Sequence, residues 1–220
     1  MDITLRDEGS VAVITWNDGE NRVNLDSLAR LNEIADELEG RSGPLAIVLT
    51  GKGKFFSNGL DLERFGSNPT EMAETFLDGK RTIGRLFLLP AYSVAAINGH
   101  AFAAGALISC AFDYRVMRED RGYWCTNEVE IGLALDEGLW SIMRHRLPMV
   151  TATHAALTAH RYGAPEALAA GIIDATAAES EVLNHAIEVA ERYAHLDRKI
   201  LARHKVLAHG DEAAVLGFIK

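Results

Sequence analysis

SVAAINGHAFAAGALISCAFD, residues 93–113, joins an apolar run to an Asn-Gly turn and then to a helix start made almost entirely of Gly and Ala. With no bulky side chain in the way, backbone N–H groups there can come close to a ligand. The first N–H groups of a helix have no partner within it and favour negative charge. The stretch therefore reads as strand, turn and helix, with a main-chain anion site at the junction. Leu107, Ile108 and Ser109 face that junction, and none of them is an acid.

Strand and helix alternate around it. Val11 to Trp16 has the β-branched composition of a strand. A helix follows with Leu28, Leu31, Ile34, Ala35 and Leu38 on one face; Asp26 is its expected cap and Gly40 its end. Ala46 to Thr50 is a short apolar strand before the loop GKGKFFSNGLDL, residues 51–62. Helical spacing runs from Thr70 to Leu89 and stops at Pro90. Val94 to Ile97 is the next strand, Ala104 to Phe112 the next helix, and Tyr114 to Met117 another strand. This alternation predicts an α/β core. Beyond Gly138 the chain is Ala-rich and helix-forming, with Pro165 at the first position of one helix and Gly171 closing it. The expected division is a core over residues 1–148 and a helical region over 149–220.

The chain has 220 residues, 48% of them hydrophobic, enough to bury a substantial core. Its formal net charge of -9 argues against nucleic acid or an anionic membrane as partner, since both select a basic surface. Cys110 and Cys125 sit in apolar stretches and are expected to be buried thiols. No histidine pair has a third partner at metal-ligand spacing, so no metal is expected. Ser57 lacks a nearby His-Asp set, which argues against serine nucleophile chemistry. MDITLRDEGS has no basic-then-apolar leader pattern, and GFIK is not a receptor-read address. The expected location is cytoplasmic.

Six segments together resemble the crotonase (enoyl-CoA hydratase/isomerase) superfamily. They are VAVITWN (11–17), FFSNGLDL (55–62), VAAINGHAFAAG (94–105), FDYRVM (112–117), NEVEIGL (127–133) and RYGAPEALAAGIID (161–174). The resemblance implies a spiral of ββα units with a helical C-terminal region that builds trimers. It also implies an acyl-CoA thioester substrate and no separate cofactor, coenzyme A being part of the substrate. In the family two Gly loops each offer one backbone N–H to the thioester oxygen. Carried over, the donors are Leu60, after Gly59, and Ala104, before Gly105. Ser57 and Asn58 fall where the family rests the adenine. Lys52 and Lys54 stand near enough to meet phosphates, and Lys205 is a weaker candidate from a neighbouring subunit.

Family hydratases hold a water between two glutamates. The position matching the first is Leu107, and the one matching the second is Glu128, four residues before Gly132. One carboxylate without the other resembles the pattern of Δ3-Δ2-enoyl-CoA isomerases, as does Leu60. Glu128 would then carry a proton from the α- to the γ-carbon while the two amides hold the dienolate oxygen. An apolar lining would raise its pKa, and Trp124, Leu107, Phe102 and Ile131 are candidates for it. Glu130 is expected on the opposite face of a strand. Asp136 has two readings, a second acid as in dienoyl-CoA isomerases or the N-cap of a helix from Gly138. His100 is expected to line the pocket or stabilise its turn. The alternatives to an isomerase are a hydratase or dienoyl-CoA isomerase of the same family, or a non-catalytic acyl-CoA-binding subunit. The expected assembly is a homotrimer or a dimer of trimers.

Overall fold

The computed structural model describes residues 2–66 and 68–219. The main sheet begins with a hairpin, β1 (Ile3–Glu8) and β2 (Val11–Trp16), paired antiparallel. Parallel strands extend it: β3 (Ala46–Gly51), β5 (Tyr92–Ile97), β7 (Tyr114–Arg118) and β9 (Ala175–Ala177), in the order β1-β2-β3-β5-β7-β9. A second parallel sheet contains β4 (Phe55–Ser57), β6 (His100–Phe102) and β8 (Trp124–Cys125). The chain visits the two sheets in turn, β3 then β4, β5 then β6, β7 then β8. Each pair is one coil of a spiral of α/β units, the arrangement expected from the sequence resemblance. Asn98 ties adjacent coils, accepting from Gly51 N at 2.9 Å and donating to the Gly53 carbonyl at 3.1 Å.

Strand alternation divides the core between the faces of the main sheet. Val11, Val13, Val48, Val94 and Val116 pack with Val182, Ala186, Val189 and Ala190 of α8 (Val182–Tyr193). Ala12, Ile14, Trp16, Ile47, Leu49 and Ile97 face the other way. There they join α1 (Leu25–Gly40), α3 (Pro69–Leu88), α4 (Ala104–Cys110) and α5 (Glu137–Arg146). α2 (Leu62–Phe65) is one turn, and α6 (Met149–Thr158), α7 (Ala164–Ala169) and α9 (Arg198–Val215) complete the helices of the described residues. Among those residues no helix is long and apolar enough to cross a membrane. Cys110 and Cys125 are free and buried.

The structure changes several local expectations. Asn24, not Asp26, caps α1: its side chain accepts from Ser27 N and the Ser27 hydroxyl accepts from Asn24 N, a capping box. Asp26 lies in the first turn and pairs with Arg64 at 2.7 Å. The chain after Pro148 is not purely helical, because β9 pairs with β7 and α8 covers the sheet. Lys205 does not reach a neighbour. It is buried within its own chain, 2.7 Å from the Asp113 carboxylate, which also accepts from Ser93 N and the Ser93 hydroxyl.

Candidate active site

The parallel pairing of β4 with β6 (Phe55 with His100, Ser57 with Ala101) lays the two Gly loops side by side. Gly59 has φ +77°, and a Cβ there would lie 2.8 Å from the Ala103 Cβ and 3.4 Å from Ala104 N. Val23 N donates to the Gly59 carbonyl at 2.8 Å, and Asp61 N donates to Val23 O at 3.0 Å. These bonds pin the loop on both sides of Leu60. Neither the Leu60 nor the Ala104 N–H donates to a main-chain or side-chain acceptor among the described residues. Ala104 opens α4 behind Ala103, whose φ of +48° is unusual for a residue with a Cβ.

Leu60, Ala103 and Ala104 border a cavity of about 420 Å³. Glu128 lies on the same wall, with Leu107, Ile108, Ile131 and Leu133. Glu128 is 7% exposed, and its Oε2 is buried with no hydrogen-bond partner. Burial without a neighbouring cation pushes its pKa up to about 7. At neutral pH such a carboxyl can both take up and release a proton. The site therefore combines two main-chain N–H groups that have no acceptor among the described residues with one buried carboxyl in a largely apolar cavity.

The model of the enoyl-CoA hydratase/isomerase family matches residues 6–211. The chain belongs to this family. Peroxisomal enoyl-CoA delta isomerase 2 of Arabidopsis thaliana is 33% identical over 190 residues, covering 81% of this chain and 78% of that protein. The short-chain-enoyl-CoA hydratase of Clostridium acetobutylicum is 31% identical over 196 residues, covering 86% and 74%. A crystal structure of the probable enoyl-CoA hydratase EchA3 from Mycobacterium tuberculosis superposes with a TM-score of 0.91 at 29% identity, covering 98% of this chain and 91% of that one. An apo structure of the same Mycobacterium tuberculosis protein, there called an enoyl-CoA isomerase, has a TM-score of 0.87 at 28% identity, covering 98% and 94%. Proteins named as hydratases and as isomerases thus both stand among the relatives of this family member.

The structure sorts the site residues expected from the family pattern. Leu60, Ala104, Asn58, Leu107, Glu128 and Ile131 all line the cavity. Ser57 does not: it is fully buried, its hydroxyl donates to the Asn21 carbonyl at 2.7 Å and accepts from Gly59 N at 3.3 Å, so it shapes the loop. Gly105 also lies behind the wall, where α4 rests against the Ser57 backbone. Trp124 is not a lining residue, because its indole turns into the core and donates to the Ser109 hydroxyl at 3.1 Å. Phe102 points instead to an outer cluster with His100, ring centroids 5.0 Å apart. His100 also meets Phe55 and Tyr123 and lies outside the cavity lining. Glu130 is not on a strand. Residues 128–132 form a turn in which Glu130 N and Ile131 N donate to Asn127 O, and the Glu130 side chain pairs with Arg161 at 3.4 Å. Asp136 takes its capping reading, accepting from Leu139 N at 2.9 Å and ion-pairing with Lys80. Burial raises its pKa, but the bonds from Lys80 and Leu139 N outweigh that and hold it below the ordinary value.

The sequence leads one to expect the helix from Thr70 to Leu89 to shape the acyl-tail pocket, but it does not give the residues of that wall. Met72, Thr75, Phe76, Gly79, Lys80 and Ile83 line the cavity, a helical stripe at spacings of three and four. The spacing was available in the sequence. Which face of α3 turned toward the Gly loops was not.

Proposed function

We propose that this protein shifts a double bond in an unsaturated acyl-CoA, converting a 3-enoyl to a 2-enoyl thioester. The observation that carries this reading is a single buried carboxylate, Glu128, on a wall where Leu107 stands in place of a second acid. The ionised carboxylate removes a proton from the α-carbon; the C–H electron pair becomes a π bond between the α- and carbonyl carbons, and the carbonyl π pair moves onto the thioester oxygen, giving a dienolate. The N–H groups of Leu60 and Ala104 donate to that oxyanion. Protonated Glu128 returns the proton to the γ-carbon, the 2,3 double bond forms and the carbonyl is restored. No water is consumed and no cofactor is needed. Leu107 has no oxygen with which to orient an attacking water, which argues against hydration. Self-assembly belongs to the same reading, and Val150 and Leu157 of α6 and Leu207 of α9 offer exposed apolar surface for it.

Two measurements test the reaction. Purified protein incubated with a 3-enoyl-CoA should generate the conjugated thioester, and with a 2-enoyl-CoA it should release no 3-hydroxyacyl-CoA. Rapid hydration of the second substrate would overturn the assignment. The pH profile follows from the raised pKa of Glu128, about 7. The active base is the ionised form, so kcat/KM should rise about tenfold per pH unit below pH 7 and level off above it. A profile flat from pH 5.5 to 8 would mean that another group carries the proton.

A further inference from the structure

Three buried side-chain oxygens on the cavity wall have no hydrogen-bond partner among the described residues: Glu128 Oε2, Thr75 Oγ1 and Asn127 Oδ1. Proton transfer accounts for the first. The other two have no place in the reaction described above. Thr75 lies in α3 and is fully buried. A threonine inside a helix commonly donates to the carbonyl four residues earlier, and this hydroxyl does not. Valine would fill the same volume without leaving a polar atom dry, so a wall built for a plain hydrocarbon tail favours valine there. Lys80, further along the same stripe, differs because its ammonium is already paired with Asp136. Asn127 brings its unpartnered oxygen to the cavity from a different element, the turn that carries Glu128.

We infer that Thr75 is a specificity-determining residue and that the acyl chain this cavity takes carries a hydroxyl group beyond the reacting carbons. A hydroxyl both accepts and donates, so one on the acyl chain can receive the Thr75 O–H, and a donor on the chain can serve Asn127 Oδ1. An unsubstituted chain satisfies neither oxygen. The inference rests on the isomerase reading for its substrate scaffold, and its test separates the two.

The test compares kcat/KM for hex-3-enoyl-CoA and its ω-hydroxylated counterpart. Wild type should favour the hydroxylated substrate about tenfold or more, because a site with buried polar groups discriminates against an analogue that leaves them unpaired. Thr75→Val should bring the ratio close to one, and Thr75→Ser should restore the preference. Thr75→Ala serves if the valine variant does not fold. A wild-type ratio at or below one, or an unchanged ratio in Thr75→Val, overturns the inference while leaving the isomerase reading intact. If wild type isomerises neither substrate, the isomerase reading fails. Calorimetric affinities for hexanoyl-CoA and ω-hydroxyhexanoyl-CoA then decide the inference alone: a tenfold preference lost in Thr75→Val supports it, and equal affinities overturn it.

Discussion

Glu128→Gln should lose about 10²–10⁴-fold in kcat for 3-enoyl-CoA isomerisation, the range expected when a positioned general base is removed. Glutamine keeps the shape and one oxygen of the side chain but cannot accept a proton at neutral pH. The same variant should be at least as stable as wild type at pH 8. The sign follows from linkage. The pKa of Glu128 is raised from 4.5 to about 7 on folding, so the folded state holds the proton more tightly and stability falls as pH rises between those values. Above pH 7 the ionised, unpartnered carboxylate costs about 3 kcal/mol relative to low pH. Glutamine removes that cost, so thermal unfolding should show the smaller pH dependence in the variant. A Glu128→Gln protein with near wild-type turnover would end the single-carrier mechanism. One that is inactive only because it is unfolded at pH 8 would contradict the electrostatic account of the site.

Sequence legibility followed the length of the elements. β2 was readable to the residue, because four β-branched residues in six positions leave few alternatives. β4, β6 and β8 are three, three and two residues long, too short for alternation to show, and they exist because successive coils stack. That shortness explains Trp124 and Phe102. In a strand of two or three residues no pattern says which side chain turns to the core and which to the cavity. β1, ITLRDE, is a mostly polar edge strand, and β9 is an Ala-rich piece within a helix-forming region, so composition pointed elsewhere. The paired Gly loops and Glu128 were legible because a family pattern links distant segments. Thr75 was not. Its helical position is plain, but its significance is an unmet hydrogen bond, which only packing reveals.

Gly105→Ala should lower kcat by about 10²–10³-fold, an effect comparable to deleting one oxyanion donor, even though Gly105 touches neither cavity nor substrate. A Cβ at Gly105 would fall 2.4 Å from the Ser57 carbonyl oxygen, 2.8 Å from the Ser57 Cβ and 2.9 Å from its carbonyl carbon. Two of these three atoms are backbone, so no rotamer relieves the clash and α4 must move away from β4. Ala104 immediately precedes Gly105 and would move with it, whereas Leu60 stays with β4. The two amides would separate by a substantial fraction of an ångström, while an effective donor must lie about 2.7–3.1 Å from the oxyanion. The shift should also destabilise the fold by about 1–3 kcal/mol, the usual cost of overpacking. Gly163→Ala supplies the control. Gly163 has φ −70°, nothing lies within 4 Å of its ideal Cβ, and it caps α7 without a side-chain bond, so alanine should leave turnover and stability close to wild type. Should Gly105→Ala keep more than half of wild-type kcat, the tight packing of α4 on β4 is not what sets the spacing of the two amides. The geometric origin proposed for the oxyanion site would then fail, whatever Glu128 does.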